Sequence, residues 1–396
     1  MNILLLTTLY PNNIQHRHGI FIENRVKELV NRYPDAKVKV VAPVPYFPSW
    51  LPIHEYKKYS EVVQHETRSD IEIVHPKYWV IPKIGMNITP HFLYRTCLKA
   101  ISAIQATGFS IDVIDSHYFY PDGVVASWIG EKLNLPVMVT ARGSDINIIP
   151  KNKTAKKRIV KALMDIQASA AVSQALADEM IKLAPAAKAP IVLRNGVDLD
   201  FFHPNAEEPV LPFSIDGDEN LILSVGNLIE LKGHHLVIEA LVSMPKAKLV
   251  IVGDGVMKAK LQQQVQQLGL TARVHFTGNI QQSELPGYYA CADLLVLASS
   301  REGMPNVLLE SLACGTPVVA TNVGGSSEVV SQSEAGELIK DRTVVSITAA
   351  IVSALSKNIP QQSVRLFSEK FSWQEISLKQ YNLLTEVIAN NCRVER

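Results

Sequence analysis

The chain has little cysteine and no apolar run of membrane-spanning length. Its 4 cysteines show no paired spacing and stand at Cys97, Cys291, Cys314 and Cys392. Such scattered cysteines argue against a disulfide framework and a structural zinc site, and they favour reduced thiols in a cytosolic protein. No stretch reaches the roughly 18 consecutive apolar residues of a membrane span. The first residues carry no basic segment, so we expect a buried strand there and no signal peptide.

A dinucleotide fingerprint is also missing, because no G-x-G-x-x-G follows a predicted strand. A nicotinamide or flavin cofactor therefore has little support. The net charge of +1 hides an asymmetry: residues 1–205 hold 24 Lys and Arg against 18 Asp and Glu, and residues 206–396 hold 15 against 20. The modest basic excess suits an anionic surface or acceptor. Nucleic acid is disfavoured, since the second part is acidic and contains no recognised binding module.

Apolar runs of strand length alternate with helical patterns throughout the chain. This alternation predicts an α/β protein with two parallel-sheet domains, as the length of 396 residues also suggests. An acidic stretch with proline and glycine, 205–220, lacks periodicity and is typical of a linker. We therefore assign residues 1–205 to a first domain and 206–372 to a second. The last segment, 373–396, contains an amphipathic helix.

Two glutamates, Glu302 and Glu310, lie eight residues apart after the apolar run 294–298. The run predicts a buried strand, so Glu302 lies in the loop at its carboxyl end and Glu310 about one turn into the next helix. Ligands of open α/β sheets bind at that edge, and a helix start attracts anions. Two carboxylates there can accept hydrogen bonds from a sugar and a ribose on either side of a diphosphate. The spacing alone also suits a solvated or capping pair.

This strand, loop and helix resemble the signature of the retaining GT-B glycosyltransferases of family 4, in which seven residues separate two glutamates. The run 313–320 and the pair Gly324 and Gly325 are similar to the family as well. The resemblance extends over nearly the whole chain, is strongest over 221–330 and is weaker over 44–100. Within the family, the chain resembles enzymes of the teichuronic-acid and surface-polysaccharide type.

The resemblance implies a GT-B fold, in which two Rossmann-like domains face each other across a cleft and the C-terminal helix crosses back to the first domain. It implies retaining transfer of a hexose-type sugar from a nucleoside diphosphate sugar to a lipid-linked or oligosaccharide acceptor, in bacterial surface polysaccharide synthesis. The donor is a co-substrate, so no cofactor is expected. No metal is expected either, which agrees with the lack of a D-x-D motif at any predicted strand end.

Lys232 follows the first predicted strand of the second domain, where its charge can face a diphosphate. Without the resemblance, an exposed loop lysine is the simpler interpretation. Many family members carry arginine where Asn227 stands, so one phosphate contact is weaker here or is supplied by Arg301. By resemblance, Glu302 holds sugar hydroxyls and polarises the donor, and Glu310 lies at the ribose. The implied donor site consists of Gly19, Asn227, Lys232, Arg301, Glu302, Gly303, Met304, Pro305, Asn306, Val307 and Glu310.

Four candidates lie in the first predicted domain. Gly19 opens a helix after the first strand, where a missing side chain lets the backbone approach a phosphate, although a plain turn is the alternative. His117 ends a strand, and the resemblance places it against the transferred sugar; a satisfied loop histidine is the alternative. Arg142 and Asp145 lie in a loop similar to the family's and are the implied acceptor-binding residues, unless the loop is only a structural turn. The implied catalytic residues are His117, Lys232 and Glu302.

A basic segment, 151–161, contains six Lys or Arg residues and no acid. On a helix it would present a cationic face that suits phospholipid headgroups or a polyprenyl diphosphate. The aromatic residues Tyr46, Phe47 and Trp50 are candidates for the same surface, and an ordinary solvated helix is the alternative. The expected location is cytoplasmic, with the inner face of the cytoplasmic membrane as a candidate surface.

Two other functions fit the same architecture. A non-hydrolysing nucleotide-sugar epimerase also binds a nucleotide sugar, but it would turn over without a separate acceptor. A two-domain sugar-binding protein of the periplasmic type would bind free sugar and no nucleotide, and the lack of a signal peptide argues against it.

Overall fold

The computed structural model describes residues 1–46, 58–81 and 85–394. Phe47 and Trp50, which were candidates for the lipid-facing surface, lie outside these ranges. The chain divides into two compact units. One contains Met1–Asn195 together with Trp373–Arg396, and the other contains Gly196–Ser372.

A sheet forms the centre of the first unit. Most of its strands are short apolar runs, as expected where helices cover both faces. The strands are β1 (Asn2–Leu6), β2 (Lys37–Val41), β3 (Val44–Tyr46), β4 (His65–Arg68), β5 (Ile71–Val74), β6 (Lys77–Trp79), β7 (Val113–His117), β8 (Val137–Ala141), β9 (Ala168–Ala171) and β10 (Ile191–Val192). Within the described ranges, eight of them form one sheet in the order β10-β9-β8-β7-β1-β2-β5-β4, and β3 pairs with β6 separately.

The edge strand β4 is the exception to the parallel pairing that the sequence predicts for the first domain. It runs antiparallel to β5, with Arg68 paired to Ile71 across a tight turn. Ser69 and Asp70 in that turn both have positive φ, which suits a two-residue hairpin. β4 is largely polar and β3 and β6 have three residues each, so the apolar pattern does not predict them.

Helices cover the first sheet because each turns one apolar stripe toward it. In α1, Ile22, Val26 and Leu29 recur at helical spacing and are buried. Asn152 caps α5 by accepting hydrogen bonds from two backbone N–H groups of its first turn. The helices are α1 (Ile20–Arg32), α2 (Thr89–Ala106), α3 (Val124–Leu133), α4 (Ser144–Asn147), α5 (Lys153–Asp165) and α6 (Gln174–Leu183).

The second unit is built on a parallel sheet. Its strands are β11 (Asn220–Val225), β12 (Ala247–Val252), β13 (Val274–Gly278), β14 (Leu294–Leu297), β15 (Val318–Thr321) and β16 (Gly336–Ile339). Its helices are α7 (His234–Ala240), α8 (Lys258–Gln267), α9 (Leu285–Ala290), α10 (Asn306–Ala313), α11 (Ser326–Val329), α12 (Val344–Ser356) and α13 (Gln361–Ser368). The strand order is β13-β12-β11-β14-β15-β16, so it changes direction between β11 and β14. Ligands of open parallel sheets bind outside the carboxyl ends of two such strands.

The long helix α14 (Trp373–Val394) belongs to the first unit, as predicted for the C-terminal segment. Leu384 and Val387 pack with Ile3 of β1. The ring of Tyr381 stacks on Tyr33 with centroids 4.2 Å apart. Although α14 is long, none of the described helices combines the length and the apolar character needed to cross a membrane.

The division between the units falls earlier than the predicted boundary after residue 205. The segment 196–205 is held on the second unit by backbone and side-chain bonds: Val197 donates to the Phe371 carbonyl at 2.9 Å, and Arg365 donates to the carbonyls of Leu199 and Phe202, each at 2.7 Å. Composition alone does not show these contacts, because their partners lie more than a hundred residues away along the chain.

Candidate functional site

In the second unit, Lys232 and Glu302 come together where the strand order changes direction. Lys232 lies in the helical turn after β11, and Glu302 lies in the loop after β14. Lys232 Nζ donates to Glu302 Oε1 at 2.7 Å, and Ser299 Oγ donates to the same oxygen at 2.6 Å. The two charged side chains stay accessible, at 20% for the lysine and 11% for the glutamate. An ammonium group has three donors, so Lys232 can bind an anion while it keeps this partner.

The turn that carries Lys232 is fixed by a close backbone contact. Gly233 ends the turn with φ 73, and a Cβ on it would lie 2.1 Å from the carbonyl oxygen of Ala298. Arg342 ties the same two segments together: its Nε donates to Ala298 O at 2.8 Å and its Nη2 to Glu230 O at 3.1 Å. These contacts hold Lys232 beside the end of β14.

Replacing Gly233 with alanine is expected to destabilise the protein by roughly 3 kcal/mol, because a positive φ and a backbone clash add together. Gly269 is a matched control, since it has φ 68 with nothing within 4 Å of its Cβ position. Its alanine variant should lose only about 1 kcal/mol. Chemical denaturation of both variants measures the difference, and equal losses would show that the contact with Ala298 is unimportant.

The second glutamate, Glu310, is partly buried in α10. The hydroxyl of Tyr289 on α9 donates to Glu310 Oε2 at 2.8 Å. Burial raises the pKa of Glu310 to about 7, although the bond from Tyr289 lowers it. The pKa of Tyr289 is raised well above its usual range by burial and by the Glu310 charge, so the phenol remains a donor. The predicted contact of Glu310 with a ribose stays a prediction.

The loop between the two glutamates leads into the start of α10. A Cβ on Gly324 would lie 2.0 Å from Glu302 O, and the Gly325 N–H donates to Gly303 O at 2.8 Å. This contact fixes the loop against the segment that follows β15. The first turn of α10 offers backbone N–H groups and a positive dipole end to an anion. The other predicted donor residues in this segment are buried or half-buried, namely Met304, Pro305, Asn306 and Val307.

Two further residues of the predicted donor site flank the lysine. Asn227 is exposed after β11, next to Gly226, against which the methylene groups of Lys232 pack. Arg301 is half-buried in the loop after β14. Among the described residues, no acidic side chain forms an ion pair with Arg301, so its guanidinium can pair with an anionic ligand.

In the first unit, His117 and Arg142 meet at the carboxyl ends of β7 and β8. Arg142 Nη2 donates to His117 Nδ1 at 2.6 Å, and its Nη1 donates to Asn195 Oδ1 at 3.0 Å. Burial lowers the pKa of His117 well below its usual range, and the Arg142 charge lowers it further. The ring is therefore neutral with its proton on Nε2, 3.7 Å from Asp115 Oδ2. The His117 side chain is fully buried within this unit, and its contact with a transferred sugar stays a prediction.

The C-terminal helix reaches the same strand end. Gln380 Nε2 donates to Asp115 Oδ2 at 3.1 Å, and both side chains are buried. Burial raises the pKa of Asp115 to about 7, while the charges of Arg25 and Arg142 lower it. Arg25 is itself fully buried. Neither Arg25 nor Gln380 could be predicted from the sequence, because neither belongs to a motif and their partners are distant along the chain.

Asp145 and Gly19 each stabilise a loop of the first unit. Asp145 is fully buried, and its carboxylate accepts backbone N–H bonds from Gly143 at 2.7 Å and Phe119 at 2.8 Å. Gly19 precedes α1 with φ 70, and a Cβ on it would lie 2.2 Å from Leu9 O. The loops therefore need both residue types. Their predicted contacts with the acceptor and the donor stay predictions.

Comparison with known proteins decides the family. The family model "Glycosyltransferase Family 4" matches residues 22–201, and the model "Glycosyl transferases group 1" matches residues 211–370. TuaC of Bacillus subtilis, named as a glycosyltransferase of teichuronic acid biosynthesis, is 31% identical over 359 residues, which are 89% of this chain and 88% of that protein. The chain belongs to the GT-B glycosyltransferases of family 4.

Solved structures agree with the fold of this glycosyltransferase. Sucrose-phosphate synthase from Thermosynechococcus elongatus aligns with a TM-score of 0.77 at 19% identity, over 98% of this chain and 99% of that chain. Anabaena HepE in complex with UDP aligns with a TM-score of 0.71 at 21% identity, over 98% of this chain and 100% of that chain. The predicted fold class, two Rossmann-like domains with a C-terminal helix, is confirmed.

Within each unit of the glycosyltransferase, residues predicted from separate motifs come together: Lys232 with Glu302, and His117 with Arg142. Three residues that the sequence analysis did not single out support the first pair and Glu310, namely Ser299, Tyr289 and Arg342. The position of Ser299 three residues before Glu302 is the one signal that the sequence offered for any of them.

Proposed function

We propose that this glycosyltransferase moves a hexose-type sugar, with retention of anomeric configuration, from a nucleoside diphosphate sugar to a hydroxyl group of a lipid-linked or saccharide acceptor. The observation that carries the proposal is the pair of Lys232 and Glu302 beside the start of α10. A cation, a carboxylate and a helix N-terminus at one edge of a parallel sheet suit a sugar linked to a diphosphate.

In the proposed reaction, the bond from the anomeric carbon to the diphosphate oxygen breaks while the acceptor oxygen bonds to the same carbon. The acceptor proton passes to the departing phosphate. Lys232 Nζ, the Arg301 guanidinium and the N–H groups of α10 stabilise the charge that develops on the diphosphate. Glu302 orients Lys232 and accepts hydrogen bonds from sugar hydroxyls. We propose that these groups act without a metal ion.

The names of the relatives support a choice of donor and process. HepE was solved with UDP, and TuaC is named for teichuronic acid biosynthesis. We therefore propose UDP as the leaving group and surface polysaccharide synthesis at the cytoplasmic face of the membrane as the process. The epimerase alternative has no support from the comparisons.

Thermal unfolding with nucleotides tests the donor site. At about 100 times its Kd, UDP is expected to stabilise the folded protein by roughly 2.7 kcal/mol. The shift should persist in EDTA, and GDP and ADP should give smaller shifts at equal concentration. The Lys232→Ala variant, with its wild-type fold checked by circular dichroism, should lose most of the shift. A shift that EDTA abolishes contradicts the metal-free site, and no shift with any nucleotide contradicts the donor proposal.

A further inference from the structure

We infer that the exposed face of α5, together with apolar side chains of residues 85–88, docks the protein on an anionic lipid bilayer. The inference rests on the proposed lipid-linked acceptor, because an enzyme that uses such an acceptor must reach the membrane surface. It goes further by assigning the contact to one surface of the first unit, which we call the docking surface.

The exposed face of α5 is mainly basic. The helix packs on the first unit through a buried apolar stripe that includes Ile159 and Leu163. The exposed lysines of the helix and the turn before it are Lys151, Lys153, Lys156, Lys157 and Lys161. The one acidic residue in 151–165 is Asp165, which pairs with Lys161 at 2.7 Å. Lysines clustered on one helix face are attracted to an anionic leaflet.

Large apolar side chains are exposed on this helix and in the segment 85–88 that Arg158 contacts. Met164 of α5 is 56% exposed, Met86 is 48% exposed, and Ile88 is also exposed. One exposed apolar side chain is ordinary, but several in a short stretch of chain mark an interaction surface. Long apolar side chains such as methionine and isoleucine can enter the boundary between headgroups and acyl chains.

Arg158 connects the basic face of α5 to the segment with the exposed apolar side chains, residues 85–88. Its Nη1 donates to the Asn87 carbonyl at 2.5 Å, and its Nη2 lies 3.2 Å from Nε2 of His91. The guanidinium also lies over the ring of Trp128, 5.8 Å from the ring centroid. Arg158 therefore anchors α5 to residues 85–88, and the lysines and apolar side chains are presented together.

The combination of exposed lysines and exposed apolar side chains favours a lipid bilayer over other anionic partners. Lysines alone would suit any polyanion, including nucleic acid. The exposed Met86 and Ile88 gain nothing from a phosphate backbone, whereas a bilayer offers anionic headgroups above an apolar interior. The sum of both contributions is expected to give reversible peripheral binding.

Vesicle co-sedimentation tests the docking surface. The wild-type chain is expected to bind phosphatidylcholine vesicles with about 30% phosphatidylglycerol at least tenfold more tightly than pure phosphatidylcholine vesicles, with weaker binding as salt rises from about 0.1 to 0.5 M. The triple variant Lys153→Glu, Lys156→Glu, Lys157→Glu should bind anionic vesicles at least tenfold more weakly. The double variant Met86→Ser, Ile88→Ser should bind both vesicle types more weakly, and it should keep most of the preference for anionic vesicles because the lysines remain.

A matched control reverses three exposed lysines on other helices, with the changes Lys27→Glu in α1, Lys182→Glu in α6 and Lys260→Glu in α8. It should bind anionic vesicles nearly as well as the wild-type chain, which separates local contact from net charge. Equal loss in both triple variants, or no binding by the wild-type chain, overturns the inference. Tight binding of an oligonucleotide through the same lysines with no vesicle binding overturns it as well. The nucleotide-dependent thermal shift, measured on the same samples, reports separately on the donor proposal.

Discussion

Replacing Lys232 with alanine is expected to lower kcat/KM for sugar transfer on the order of a hundredfold, since an electrostatic contact to the departing group is lost. Its Nζ lies 2.7 Å from Glu302 Oε1, so the substitution also leaves that carboxylate without its cation. Glu302→Gln keeps the size of the side chain and removes its charge. It should lower kcat more than it changes KM for the donor, because sugar polarisation matters most in the transition state.

The control for this pair is Lys248→Ala. Lys248 is also partly buried and ion-paired, with Glu219, but it lies near the amino end of β12 in the same sheet. Its loss should leave the transfer rate unchanged within about twofold. The double variant of Lys232 and Glu302 should lose less than the sum of the two single losses, because the residues act as a pair. Full additivity would show that the two residues act independently, and wild-type turnover in Lys232→Ala would remove Lys232 from the site.

The alternation of apolar runs and helical patterns was sufficient to predict most of the helices and strands. The sequence pattern predicts a helix over 20–32 and a strand over 247–252, and α1 and β12 have these bounds, because each has a clear apolar pattern with a clear end. β16 was missed because it is short and begins at Gly336, which turns at φ 127 and packs closely on the Val318 carbonyl. A contact of that kind depends on a neighbouring strand, which the local sequence does not reveal.

In the candidate site as well, local sequence motifs predict single residues but not the contacts between distant ones. Glu302 and Lys232 each stand in a recognisable strand-to-helix segment, so their places could be predicted from the sequence. Their mutual bond could be expected only after β11 and β14 were known to be neighbours. The bonds of Tyr289 to Glu310 and of Gln380 to Asp115 join residues without any shared motif. Tertiary packing alone creates these contacts.

Glu310→Gln is expected to change the pH dependence of stability. A folded-state pKa of about 7, against 4.5 as the ordinary value, means that the folded protein binds the Glu310 proton more tightly than the unfolded chain does. The stability that this proton contributes is full below about pH 4.5 and is lost as the pH rises to about 7. Glutamine does not titrate. The variant should therefore gain roughly 3 kcal/mol in free energy of unfolding relative to wild type between about pH 4.5 and 8.

Chemical denaturation from about pH 3 to 8 measures the change, and Glu337→Gln is a control of opposite sign. Lys357 lowers the pKa of Glu337, so the Glu337 carboxylate contributes stability that is fully present above its unfolded pKa of about 4.5 and is lost as the pH falls below it. The relative stability of Glu337→Gln should therefore fall as the pH rises to about 4.5 and stay level above it, where that of Glu310→Gln rises. A Glu310→Gln variant whose stability follows wild type in parallel over the whole range would show that Glu310 has an ordinary pKa.

The same Glu310→Gln variant separates a binding role from a structural one. If Glu310 accepts hydrogen bonds from ribose hydroxyls, its Kd for UDP should rise about tenfold, since a hydrogen bond to a charged acceptor contributes about 1.5 kcal/mol or more. Tyr289→Phe keeps the carboxylate but removes the donor at 2.8 Å, so it should cost about 1–3 kcal/mol of stability near pH 8 with little change in Kd. A stability change in both variants with an unchanged Kd for UDP in both would mean that Glu310 serves the packing of α9 and α10. A rise in Kd confined to Glu310→Gln would place the carboxylate at the nucleotide, because only contact with the ligand distinguishes the two substitutions.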